Sequence, residues 1–163
     1  MYTRLHTLSE TAVTELRELK DEVSFSDSYG SRRRQGKNDA NALSIYNYSK
    51  WFNWTHKQRE VIRKSLPEQQ TKKAKQVWFL EFPARTGFLD VMTYWIDHAK
   101  MCGKICAYSL TDNQTIYIDG HSVTLAKGEG IYFCLSSIHQ IKPSKEGQLW
   151  ACVMTQQPVE ALM

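Results

Sequence analysis

Apolar positions follow a helical rhythm in the first half of this 163-residue chain and a strand rhythm in its last third. Leu8, Ala12, Val13, Leu16, Leu19 and Val23 recur at helical spacing and predict a helix over about residues 8–22. Thr7-Leu-Ser-Glu10 before it reads as a capping box, in which a hydroxyl takes one orphan amide and a carboxylate three residues on returns the bond. Arg17 and Asp21 sit four apart, ready to pair on the outer face. Ser24 to Asn41 is polar and reads as a loop. Asn41 to Trp54 is aromatic, and its Leu43/Ile45 alternation suits a short strand. A second helix runs from Thr55 to Leu66. Thr55 caps it, Gln58 closes the box, Val61, Ile62 and Leu66 form the stripe, and Pro67 stops it. Glu68 to Lys75 is a charged connector.

From Gln76 the text turns to strands. Val77-Trp-Phe-Leu-Glu-Phe82 is short, apolar and aromatic, as strands are. Phe88 to Ile96 carries two patterns: Leu89/Val91 alternate as in a strand, whereas Phe88, Val91, Met92 and Trp95 make a helical stripe. Strand is the reading adopted. Lys104 to Leu110 is the next strand. Asp119-Gly120, between Thr115-Tyr-Ile and Ser-Val-Thr-Leu125, is a hairpin signal, because both central turn positions need positive φ. A two-residue loop pairs Ile118 with His121 and Ile116 with Val123. His121 then shares the apolar face with Ile116, Val123 and Leu125. Lys127-Gly-Glu-Gly130 is a turn, Ile131, Phe133 and Leu135 point one way, Ser136-Ser137 breaks the strand before His139, and Gly147 to Met154 closes the sheet. Such short strands between turns imply an antiparallel barrel or sandwich. Its expected interior is Ile116, Val123, Leu125, Ile131, Phe133, Leu135 and Val153.

The length suits one domain, with a helical, basic layer at 1–75 and a β-barrel core at 76–155. The N-terminal half has too few elements for a core of its own. No run approaches the ~18 apolar residues of a membrane span, and the N-terminus lacks an apolar signal region. The expectation is a protein away from membranes, in the cytoplasm, or in a virion if phage-encoded. Cys102, Cys106, Cys134 and Cys152 show no Cys-x-x-Cys spacing and read as small buried hydrophobes in a reducing compartment. His98, Cys102 and Cys106 have helical zinc-site spacing, but Gly103 and the strand that follows oppose it. Residues 1–75 hold 15 Lys/Arg against 9 Asp/Glu, while residues 76–163 hold 6 against 8. The positive field therefore belongs to the N-terminal half and attracts anionic partners. Its densest cluster is Arg32, Arg33, Arg34 and Lys37, a solvated loop or a clamp on phosphate or an acidic surface. Trp51 and Trp54, near Lys50, Lys57 and Arg59, read as core or as base-stacking platforms.

Asp119-Gly-His-Ser-Val-Thr-Leu-Ala-Lys-Gly-Glu-Gly-Ile-Tyr-Phe133 resembles the cupin pattern of a hairpin, a Gly-acid turn, an apolar strand and a histidine. The run Ile131 to Gly147 is similar to the iron/2-oxoglutarate dioxygenases. In them a strand and short loop lead to a metal-binding histidine, then an apolar residue, a proline, a glycine and a carboxylate-gripping arginine. His139, Ile141, Pro143 and Gly147 keep that order. The resemblance covers about a third of the chain and implies a mainly β fold with N-terminal helices, a double-stranded β-helix (cupin-like jelly-roll barrel). It also implies His139 as a metal ligand, and iron and 2-oxoglutarate as cofactors; an unorthodox site would add His121, which shares an apolar strand face, and a carboxylate such as Asp97 or Glu81. Other residues depart from the pattern. No histidine of the five has an acid or a histidine two places on, which removes the paired ligands of one strand. Gln148-Leu-Trp150 stands where those enzymes carry the arginine, and Arg85 is the only arginine after residue 63. No nucleophile elbow or phosphate-cradling glycine loop occurs, and Ser136-Ser137 beside His139 is a commonplace turn.

The sequence therefore points to a non-catalytic binding or assembly module on an oxygenase-like barrel, such as a compact phage genome encodes, with no cofactor. It would contact an acidic protein surface or nucleic acid through Arg32, Arg33, Arg34 and Lys37, in a homo- or hetero-oligomeric assembly. The competing expectation is an iron/2-oxoglutarate-dependent dioxygenase with non-standard ligands around His139.

Overall fold

The computed structural model describes residues 2–23, 44–50, 54–82, 84, 104–134, 139–142 and 144–162. Its elements are β1 (Tyr2–Arg4), α1 (Glu10–Glu22), β2 (Ser44–Lys50), α2 (His56–Ser65), α3 (Glu68–Thr71) and β3 (Gln76–Phe82), followed by β4 (Lys104–Ser109), β5 (Gln114–Ile118), β6 (His121–Leu125), β7 (Gly130–Cys134), β8 (His139–Ile141) and β9 (Gln148–Thr155). A 3₁₀ turn at Val159–Ala161 ends the chain. The expected strand over 88–96, and Leu135, lie outside the described residues.

The described strands form a six-stranded sheet, β1-β7-β4-β9-β3-β2, and a three-stranded sheet, β6-β5-β8. All pairings are antiparallel. From β4 onward the chain passes between the sheets: β4 in the large one, β5 and β6 in the small one, then β7, β8 and β9 in turn. That winding is the double-stranded β-helix the sequence led us to expect. Between the sheets lie Trp78, Leu80, Phe82, Ile116, Ile118, Phe133 and Trp150, among others. Ile116, Val123, Leu125, Ile131 and Phe133 are inside as expected. Val153 is not. It faces the helices with Leu149 and Ala151, and Trp150, Cys152 and Met154 are the inward residues of β9. Every residue of β9 is buried, so its apolar run is continuous and its text does not say which parity faces in.

The outer face of the large sheet is covered by α1 and α2. Val13, Leu16, Leu19, Ile62 and Leu66 pack on Val77, Phe79, Tyr108 and Val153. Trp54 belongs to this layer. It is 1% exposed, donates its indole N–H to Val77 O at 3.1 Å and meets Phe79 edge-on. It is a core residue and offers no face to a nucleic-acid base; Trp51 lies outside the described residues.

Ser9, rather than Thr7, caps α1, and its Oγ accepts from Ala12 N at 3.1 Å. Leu5 N and Leu8 N donate to Gly130 O and Gly128 O, each at 2.9 Å. The chain is thus held extended beside β7 until Ser9, and no helix can start earlier. Arg17 does not pair with Asp21. It reaches Leu110 O at 3.5 Å, and Asp21 lies 3.6 Å from Lys20. The box on α2 forms as expected: Gln58 N donates to Thr55 Oγ1 at 3.1 Å and Thr55 N to Gln58 Oε1 at 3.0 Å. The charged connector contains the single turn α3, because Gln70 is drawn inward to donate to Tyr108 OH at 2.6 Å.

Asp119 and Gly120 make the expected turn, with φ of 50° and 84°, and the register pairs Ile118 with His121 and Ile116 with Val123. Gly130 has another cause. It lies opposite Tyr108, and a β-carbon there would run into that ring, with Cε1 2.6 Å away. Gly130→Ala is expected to destabilise the fold by about 1–3 kcal/mol through overpacking. Gly120→Ala, with nothing within 4 Å of the new carbon, is expected to cost about 1–2 kcal/mol from φ alone. Urea titration of both variants, with the Tyr108→Ala background added, checks the assignment. Relief of the Gly130→Ala penalty in that background is the expected result, and no relief contradicts the packing.

Candidate functional site

Strand β5 ends at Ile118, which has His121 of β6 on one side and His139 of β8 on the other. The two histidines occupy one row of the small sheet, at the end of the barrel where β7 finishes and β8 begins. Adjacent strands lie about 4.8 Å apart, so these two backbones are roughly 10 Å apart with Ile118 between them. Ile118 is fully buried, whereas His121 is exposed at the rim. The backbones of the two expected histidines therefore share one row of the small sheet, and His121 itself is exposed rather than turned into the interior.

It does not bring Glu81 to them. Glu81 lies near the far end of β3, on the helix side of the sheet, where Lys20 Nζ holds it at 2.6 Å. The large sheet separates that carboxylate from the barrel interior. Asp97, His98, Cys102, Arg85 and the basic cluster Arg32, Arg33, Arg34 and Lys37 lie outside the described residues. Among the described residues, no group of three His, Cys, Asp or Glu side chains is placed to hold a metal ion.

The inner wall at the start of β9 is built by Gln148. It opposes Phe82 and is 1% exposed. Its Nε2 donates to Lys142 O at 2.8 Å, and its Oε1 accepts from the Trp150 indole N–H at 3.1 Å. Both ends of the amide are thus engaged within the chain. Trp150 and Trp78, each buried between the sheets, fill the space beside it. A carboxylate co-substrate needs a cation with paired donors, which an arginine fork supplies and a neutral, engaged amide does not. With no His-x-acid pair anywhere in the sequence, the described residues do not fit iron with 2-oxoglutarate in the arrangement the resemblance implied.

Gln114 was not among the expected site residues, although its phase with Ile116 and Ile118 marks a polar residue at an inward position. It starts β5, opposite Leu125, and is 2% exposed. Its Nε2 donates to Asp112 O at 2.7 Å, while its Oε1 is buried without a hydrogen-bond partner.

The cysteines read as packing groups. Cys106 and Cys152 are buried and Cys134 is half-buried, all as free thiols. Burial pushes the Cys106 thiol up to about 12, and burial with Cys106 nearby holds Cys152 well above the usual thiol range. Burial, then the neighbouring Cys106, raises the Tyr132 phenol to about 12. The Tyr132 hydroxyl donates to Gln157 O at 3.0 Å. For Cys106, Cys152 and Tyr132 these shifts run opposite to the depressed pKa of an activated nucleophile. No described helix is long and apolar enough to cross a membrane.

No protein-family model matches the chain, and no curated protein matches it in sequence. Solved structures do match in shape. An oxidoreductase of the 2OG-Fe(II) oxygenase family from Burkholderia pseudomallei is similar over 96% of this chain and 84% of its own, with TM-score 0.61 and 7% identity. A Pseudomonas putida prolyl-4-hydroxylase is similar over 96% of this chain and 93% of its own, with TM-score 0.58 and 10% identity. A cupin protein from Bacteroides fragilis matches at 17% identity and TM-score 0.38, and this chain covers 64% of its length. The first two likenesses, at such low identity, are likenesses of fold. The chain is an oxygenase-like double-stranded β-helix barrel with helices packed on its large sheet.

The raised thiol and phenol values fix a pH dependence. These groups are neutral when protonated, and their folded pKa lies above the unfolded one. Their contribution to stability is complete below about pH 9 and is lost as pH rises toward 12. Urea titrations over that window are expected to show falling stability, with a shallower fall in Cys106→Ala. At mildly alkaline pH, iodoacetamide should label Cys134 before Cys106 and Cys152 in native protein, read by peptide mass mapping. Early labelling of Cys106 contradicts its placement.

Proposed function

We propose that this chain is a non-catalytic binding or assembly module built on an oxygenase-like barrel, acting in the cytoplasm or in a virion. The observation that carries the reading is Gln148. Its amide is buried and engaged at both ends, and it opens the stretch Gln148-Leu-Trp150 that stands where the resembling oxygenases carry a co-substrate arginine. The absence of any His-x-acid pair from the sequence supports it. Fold alone does not confer chemistry, since one barrel hosts many functions.

The partner-binding face is the basic N-terminal half. Arg32, Arg33, Arg34 and Lys37 within a few residues supply fork-shaped donors suited to carboxylates and phosphates. The partner is an acidic protein surface, and nucleic acid is the other anion such a cluster takes. A second reading rests on the shared row of His121 and His139 at the barrel mouth. It holds that these two ligate iron in a dioxygenase with a non-standard ligand set.

Two measurements decide. Protein purified anaerobically with iron(II) and 2-oxoglutarate is expected to hold no stoichiometric iron and to release no succinate. Stoichiometric iron that disappears in His139→Ala overturns the non-catalytic reading. For the partner, Arg32, Arg33 and Arg34 are changed together to Ala, and affinity capture from host lysate and binding to single- and double-stranded oligonucleotides are compared across salt. Wild-type association should weaken steeply with salt, and the triple variant should lose most of it and flatten the slope. An unaltered slope removes the basic cluster from the interface.

A further inference from the structure

The outermost described strand of the small sheet, β6, presents an open edge. Its turn, Asp119-Gly120, has two residues, so Ile118 and His121 form a hydrogen-bonded pair, and such pairs alternate along an antiparallel ladder. Ile116 and Val123 are then the next bonded pair, and the backbone groups of Ser122 and Thr124 point away from β5. Two bonds fix that phase. Lys142 N donates to Thr115 O at 3.0 Å, so Thr115, which lies opposite Thr124, turns its carbonyl to β8. Arg4 Nη2 reaches Thr124 O from outside at 3.4 Å. Among the described residues no strand lies beyond β6, and no other bond reaches the outward backbone groups of Ser122 and Thr124. Both residues are exposed. Open edges are normally guarded by charge, proline, a bulge or brevity. β1, outermost in the large sheet, is three residues long and ends in Arg4. β2, at the other end of that sheet, has a register shift between Tyr46 and Ser49 and ends in Lys50. The strand His-Ser-Val-Thr-Leu of β6 is continuous and carries none of these devices.

We propose that β6 pairs with β6 of a second copy of this chain, antiparallel about a twofold axis at Val123. That register sets Ser122 opposite Thr124 of the second copy and the reverse, and each couple exchanges both of its backbone bonds. Carried past the strand ends, it brings Asp119 level with Lys127 of the second copy, on both sides of the axis. Asp119 and Lys127 are exposed. The occupant is a second copy because the edge is complementary to itself, in its backbone groups and in these charges. Other registers lose both matches. An axis at Thr124 leaves Ser122 against Ala126, beyond the strand, and sets Asp119 level with Glu129. An axis at Ser122 leaves Thr124 against Gly120 of the turn. Pairing about a twofold axis uses up both edges, so it closes at a dimer and does not propagate. Arg4 is the guard that the dimer displaces: its hold on Thr124 O is long and exposed, and Glu129 lies 3.7 Å away to receive it.

The test follows the intact chain by sedimentation equilibrium from micromolar to millimolar concentration, with amide hydrogen exchange at both ends of that range. The mass is expected to rise toward that of two chains. The Ser122 and Thr124 amides, fast in the dilute protein, should become protected in step. Thr124→Pro removes an outward N–H and spares the β5–β6 ladder, so it should weaken dimerisation about tenfold or more. Thr124→Ala keeps that N–H and should dimerise like wild type. Lys127→Glu, set against Asp119, should weaken dimerisation several-fold, by a margin that narrows with added salt, and Asp119→Asn in the same chain should recover part of the loss. Arg4→Ala, which leaves Thr124 O uncontested, should tighten it. If Thr124→Pro melts below wild type, Lys127→Glu, at an exposed turn position, carries the test. The pairing is overturned if the chain stays a single copy at millimolar concentration, or if a dimer forms while those two amides still exchange fast. Their protection in a particle with the mass of one chain overturns it too, since another part of the same chain then covers the edge. The pairing uses none of Arg32, Arg33, Arg34 and Lys37, so the triple arginine variant is expected to dimerise like wild type, and the two readings fail separately.

Discussion

Strand β9 is buried along its whole length and on both faces, and the rest of the molecule is arranged around that constraint. Its outward residues Leu149, Ala151 and Val153 take the apolar faces of the helices. Its inward residues Trp150, Cys152 and Met154 fill the space between the sheets. A strand in this position has no solvent for any polar group it carries. Gln148 is tolerated at its start only because Lys142 O and the Trp150 indole engage both ends of the amide. Leaving either end open would cost about 1–3 kcal/mol, comparable to a large share of a small domain's stability.

That arrangement bears directly on what the barrel can do. A barrel of this kind becomes an enzyme when its interior is given up to ligands, and here Trp78, Phe82, Phe133 and Trp150 occupy it. Apolar side chains fill the described interior, and the row shared by His121 and His139 lies at one end of β5. Rim sites on a rigid frame suit recognition, because the frame holds side chains in place without being disturbed by what binds.

What could be read in the sequence, and what could not, follows from how locally each feature is determined. The α2 box needs only Thr55 and Gln58 three residues apart, and the β5–β6 turn needs only Asp119-Gly120. Both were legible and both formed. The α1 stripe was legible, but its start was not, since Ser9 becomes the cap through bonds from Leu5 and Leu8 to residues more than a hundred positions away. The parity of β9 was illegible because alternation disappears when both faces are buried. β1 is three residues long and exists only because β7 offers an edge. At the candidate site the sequence shows Gln148-Leu-Trp150 where the resembling enzymes carry an arginine. The engagement of that glutamine by Trp150, two residues along the same strand, was not legible.

Gln114 and Gln148 carry the comparison furthest. Both are neutral amides at inward strand positions near the same end of the barrel, and both are almost completely buried. They differ in one respect: Gln148 has partners for both of its amide ends, whereas Gln114 has one for its nitrogen and none for its oxygen. An amide at 114, in phase with Ile116 and Ile118, therefore carries a desolvation cost at its oxygen that Gln148 avoids.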